Sequence, residues 1–114
     1  MQIDAYRVLS EVVAVGVHKA WRKTLGKHAY HGNGEVFGKH LLARLPFAVM
    51  KEVVGYFTLA HPYLDVQKVM LRCVMDGSSA GWRRAFEHSA DPSEDLAKDR
   101  VFYGIMLEIT EYFS

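Results

Sequence analysis

Two short stretches carry the side chains best suited to chemistry. The first, KAWRKTLGKHAYH at residues 19–31, sets Lys19, Arg22, Lys23 and Lys27 beside Trp21, His28 and His31. The second, AGWRRAFEH at 80–88, writes the tryptophan and two cations again as Trp82, Arg83 and Arg84, and ends on His88. Cations interleaved with aromatic rings suit a phosphate backbone or an acidic protein face, because the charge attracts and the ring supplies desolvated contact area. The same residues also have a structural reading. Cations in a last helical turn favour the helix dipole by about 0.3–1 kcal/mol without any partner, and a tryptophan at the edge of an apolar arc serves as a lid on the core. On the functional reading, Lys19, Trp21, Arg22, Lys23, Lys27, His28, His31, Arg83 and Arg84 are the candidate partner-binding residues.

Metal and catalytic chemistry find less support. His28, His31, Glu35 and His40 offer imidazoles and a carboxylate in a short span, and neutral imidazole is a common zinc ligand. Their spacing matches neither HExxH nor CxxC, so His28 and His31 read first as loop and cap residues, with a metal-dependent enzyme built on them as a second alternative. The run His31-Gly32-Asn33-Gly34 enters a helix but lacks the GxxxxGK[ST] frame of a phosphate loop, and Asn33 serves as a cap. No serine sits in a GxSxG turn. Glu52 and Glu108 recur at matching positions, as a facing carboxylate pair or, on the simpler reading, as solvent-facing acids that accept from basic helix ends such as Arg22 and Arg83. Cys73, the only cysteine, lies in an apolar-rich run and reads as a small packed hydrophobe, which also excludes an internal disulfide. No catalytic residue, metal ligand set or cofactor is assigned.

The elements that must hold these residues follow from a repeat. Residues 5–25 align with 66–86, matching Val8 to Val69, Val13 to Val74, Gly16 to Gly77, Trp21 to Trp82 and Arg22 to Arg83. A second block at 47–57 aligns with 103–113, where Met50, Glu52, Tyr56 and Phe57 recur as Met106, Glu108, Tyr112 and Phe113. Repetition of two blocks in one order indicates a duplicated supersecondary unit. Leu9, Val12, Val13, Gly16, Val17, Ala20 and Thr24 share one arc at helical spacing, and Met70, Val74, Gly77, Ser78, Gly81 and Ala85 share its counterpart. Paired small residues on both buried arcs predict that these two helices touch each other there. Asp91-Pro92-Ser93-Glu94 predicts a helix from about Pro92 to Phe113 with Asp91 as N-cap. Asn33 is the expected cap of the matching helix, which Pro46 should kink or split into 34–44 and 46–59. The expected fold is all-α, a single domain of four main helices in two repeated hairpins related by a pseudo-twofold axis, with His61-Pro62 joining the copies.

Composition bounds the class. With 114 residues, 50% hydrophobic and 24% charged, the chain has the makeup of an ordinary globular domain, and no apolar run approaches the roughly 20 residues that span a bilayer. A soluble, cytoplasmic protein without membrane association is expected. The net charge of +1 conceals a polarity: residues 1–60 hold eight Lys/Arg against four Asp/Glu, and residues 61–114 hold six against nine. No acid occurs from Val12 to Gly34. Such a molecule steers an acidic partner to its basic half or pairs with a second copy of itself, with Val8 and Val15 as candidate dimer contacts.

The stretch from Gly77 through Trp82-Arg83-Arg84-Ala85, His88 and Asp91-Pro92-Ser93-Glu94 to Glu111-Tyr112-Phe113 resembles a family of small helical proteins of bacteria, prophages and phages with no assigned activity. The resemblance covers about residues 66–113, departs at Phe86-Glu87 where the family is more basic, and transfers no catalytic residues. It implies an accessory protein of a mobile element, in the cytoplasm of a bacterial host, acting by binding and blocking a host protein. The expected function is therefore a non-enzymatic binder of a protein partner, such as an inhibitor of a bacterial defence complex in the manner of an anti-CRISPR. The alternative is a nucleic-acid binder using the basic 18–31 segment.

Overall fold

The computed structural model describes residues 4–60, 66–87 and 89–113, which form α1 (Ala5–Leu25), α2 (Gly34–Ala60), α3 (Val66–Ala85) and α4 (Glu94–Phe113), with no strand among them. The join at His61-Pro62, the approach to α3 from Asp65, and His88 lie outside the described residues.

Local chemistry sets the helix ends. The Asp4 carboxylate accepts from the Arg7 N–H at 3.1 Å and caps α1, whose last turn closes when the Gly26 N–H donates to the Arg22 carbonyl at 3.1 Å. Gly32 turns the chain with φ of 72°, a left-handed conformation that suits glycine, and the Asn33 carbonyl then accepts from the Phe37 N–H to start α2. At α4 the cap is Ser93 rather than Asp91: the Ser93 hydroxyl accepts from the Leu96 N–H at 3.1 Å. Pro92 stays outside the helix, buried, and its carbonyl accepts from the Tyr30 hydroxyl at 2.6 Å. That tertiary bond holds the loop where sequence alone reads a proline at the first helical position.

Pro46 does not split α2, which runs unbroken for 27 residues. An interior proline costs about 3 kcal/mol through its lost N–H and its ring. Against this, Phe37, Leu41, Leu45, Val49 and Val53 form one continuous, fully buried stripe across the proline, and each such side chain stabilises by about 1.5–3 kcal/mol. Breaking the helix would unseat half of that stripe.

The helices form an up-down-up-down ring in which α1 touches α2 and α4, and α3 touches α2 and α4. The expectation that the glycine arcs of α1 and α3 meet is overturned: these helices lie diagonally, their backbones do not pack on each other, and they meet through the Trp21 and Trp82 rings near their ends. The glycines instead close each hairpin on itself. A Cβ on Gly16 would lie 2.6 Å from Val49 Cα and 3.1 Å from the Ala48 oxygen, both on α2. A Cβ on Gly77 would lie 2.6 Å from Ile105 Cα and 2.5 Å from the Gly104 oxygen, both on α4. Ala48 and Val49 occupy the repeat positions of Gly104 and Ile105, so the two crossings are equivalent and the pseudo-twofold relation extends to individual contacts. The diagonal placement of α2 and α4 also removes any facing pair of Glu52 and Glu108. Glu52 pairs with Lys19 at 2.7 Å instead.

Candidate functional site: a basic groove on the first hairpin

The parallel α1 and α3 end together, so both tryptophans arrive at one end of the bundle. Trp21, 1% exposed, packs on Tyr30, Phe37 and Trp82 with ring centroids 5.6, 4.9 and 6.2 Å away. Its Nε1–H donates to Glu94 Oε1 at 2.7 Å, and Lys98 Nζ stands 5.8 Å above the ring. Trp82, half-buried, packs on Phe86 and covers Gly38, where an added Cβ would collide with the indole. Gly38 and Glu94 are repeat positions, so each tryptophan reaches the start of the other copy's second helix. Trp21 therefore belongs to the core and cannot touch a partner, a correction to its place among the candidate binding residues. Burial first, then Asp91 and Glu94, raises the pKa of the Tyr30 phenol above its ordinary range.

The candidate cations separate into two sets. Lys19, Arg22 and Lys23 form one wall of an open groove of about 990 Å³ between α1 and α2. Arg44, Phe47 and Lys51 form the other wall, His18 and His40 stand with them, and Ala20, Ala43 and Ala48 line the groove between. Among the described residues no carboxylate lies within ion-pair distance of Arg22, Lys23, Arg44 or Lys51, and Glu52, the acid of the groove, is neutralised by Lys19. Phe47 is 80% exposed there. Arg84 is carried away to a groove of about 330 Å³ between α3 and α4, with Arg100, Tyr103, Leu96 and Glu87. Arg83 is exposed at the end of α3. Arg22 and Lys23 therefore line one groove and Arg84 another.

The turn residues find separate partners. Lys27 is exposed, and its N–H donates to the Thr24 carbonyl. His28 stacks on His40 with centroids 3.8 Å apart and planes 8° from parallel. His31 Nε2 stands 3.7 Å from Glu94 Oε2, an ion pair when the imidazole is protonated. His28 and His31 are thus turned to different elements, and no three His, Cys, Asp or Glu side chains gather in metal-binding fashion among the described residues. The His40 ring, which loses water against His28 and stands beside His28, Lys39 and Arg44, is held below the ordinary histidine pKa. Cys73 is buried, its thiol donates to the Glu108 carbonyl at 3.8 Å, and burial pushes its pKa up, away from thiolate chemistry. Of the candidate dimer contacts, Val8 packs against the core and Val15 is 38% exposed.

Set against protein-family models, curated proteins and solved structures, the chain matches none. The site is therefore defined by its geometry. Sequence reading reached one wall of the groove and missed Arg44, Phe47 and Lys51 on the other. Their signal is the 4-3-4 spacing of His40, Arg44, Phe47 and Lys51, which puts a cationic and aromatic stripe on one side of α2. No helix among the described residues is long and apolar enough to cross a membrane.

Proposed function

We propose that this chain is a non-enzymatic binding protein that docks an acidic protein partner in the α1–α2 groove. One observation carries the reading: Arg22 and Lys23 on one wall and Arg44 and Lys51 on the other have no carboxylate partner among the described residues, and they flank an aromatic ring that folding leaves in water. Exposed aromatic rings and arginines dominate binding energy at protein interfaces because they bury large area and make directional contacts at small entropic cost. The small alanines between the walls offer an apolar floor, which suits a protein side-chain surface better than a phosphate chain. The resemblance to phage and prophage proteins supports a setting in the cytoplasm of a bacterial host, with a defence complex as the target. Val15 is the residue to test for self-association.

A second reading, single-stranded nucleic acid on the same groove, draws on Phe47 as a stacking platform among cations. Affinity capture from host extract separates the two. The wild type and an Arg84→Glu/Arg100→Glu variant should retain the same protein after nuclease treatment, and Arg22→Glu/Arg44→Glu should lose it. Retention that disappears with nuclease, or that survives the groove reversal, would sink the protein-partner reading.

A further inference from the structure

The form of the partner can be taken a step further, resting on the proposed use of this groove. We infer that its occupant is an amphipathic α-helix with an apolar face and flanking carboxylates, lying along the groove as a third helix of the first hairpin.

The groove's own periodicity argues for a helix. From His40 to Lys51 the α2 wall advances by 4, 3 and 4 residues, the spacing with which one helix meets another along a shared seam. These 11 steps extend about 16 Å at 1.5 Å per residue, or three turns. A helix about 10 Å across, half sunk over that length, displaces on the order of 600 Å³. The groove's 990 Å³ takes it with room for side chains.

The chemistry of the lining sets the occupant's faces. Ala20, Ala43 and Ala48 are too small to fill the trough, so the face turned inward is apolar and supplies the missing bulk. Phe47 stands at the α2 wall, 80% exposed, as a knob for that face to cover. Arg22 and Lys23 on one rim and Arg44 and Lys51 on the other meet carboxylates on both flanks. The Lys19–Glu52 pair, 2.7 Å long with Lys19 largely in water, opens to give Lys19 to the newcomer.

The molecule carries its own control. By repeat position Lys23, Arg44 and Phe47 correspond to Arg84, Arg100 and Tyr103, which line the α3–α4 groove. There Lys19 is replaced by Ala80, Lys51 by Leu107 and Ala43 by Asp99, and the volume falls to about 330 Å³. That groove should not take the helix.

The test uses the full chain with three fluorescent probes: a 21-residue peptide with leucine and alanine on one helical face and glutamate on the flanks, a scrambled peptide of the same composition, and a 20-nucleotide poly-dT. The amphipathic peptide should bind at least tenfold tighter than the scramble and gain helical circular dichroism on binding. Phe47→Ala should weaken it about tenfold or more and Tyr103→Ala should leave it unchanged, both variants keeping the wild-type unfolding midpoint. Equal binding of both peptides would overturn the helical occupant while leaving an acidic protein partner standing. Binding of poly-dT alone, or of no probe, would overturn both.

Discussion

The two hairpins share a sequence pattern and a crossing, yet their outer surfaces differ threefold in groove volume. The seams of the two crossings differ as well. α3 and α4 meet through Gly77, Gly81 and Gly104, three positions without side chains that zip the seam. In α1 and α2 the same positions hold Gly16, Ala20 and Ala48, so only one of the three is bare, and Ala20 and Ala48 line the first hairpin's trough.

The largest effect that tests this contrast concerns the tryptophans. Trp21→Ala should cost about 3–5 kcal/mol in urea unfolding, the range for emptying a fully buried aromatic site, and Trp82→Ala should cost clearly less because its ring is only half-buried. Equal losses would mean that the two copies contribute alike to the core. Next come the seams. Gly104→Ala drives a methyl into the α3 backbone at Gly77 and should cost about 1–3 kcal/mol. Gly55→Ala, with nothing within 4 Å of the new carbon, should stabilise by about 0.5–1 kcal/mol through helix propensity. If both changes shift the unfolding midpoint in the same direction, the zipped-seam account fails. Phe47→Ala should change stability by less than about 0.5 kcal/mol, since the ring is already in water.

The smallest effect is titration of His40, which marks the first hairpin alone because its repeat position is Leu96. Its folded pKa lies below the ordinary value of 6.5, so the unfolded chain takes up the proton first. The stability it contributes is present above pH 6.5 and is lost as pH falls through the lower folded value. His40→Gln should flatten that part of the stability–pH curve between pH 7 and 5, and an unchanged curve would remove His40 from the account. Histidine titrations measured by NMR check the same shift directly.

The sequence made the interior arcs readable because burial imposes a period: every residue placed inward on α1 from Leu9 to Thr24 is buried except Val12, which is half-buried. The lid role of Trp21 was readable for the same reason. Adjacency was not. A repeat tells which helices are equivalent, and equivalent helices in an up-down ring are diagonal, so Gly16 and Gly77 never meet. The groove was half legible: the acid-free run before Gly34 marked the α1 wall, whereas Arg44, Phe47 and Lys51 became visible only once α2 was known to pass through Pro46 unbroken. A split helix would have turned Phe47 and Lys51 away from His40 and Arg44.

Amide chemical-shift mapping with the amphipathic acidic peptide distinguishes binding in the first hairpin's outer groove from binding in its counterpart. Perturbations should be confined to residues 18–23 and 40–52, with the α3–α4 groove at Arg84, Arg100 and Tyr103 silent. Shifts of equal size in both grooves, or centred on residues 84–103, would contradict the proposed use of the first hairpin's groove.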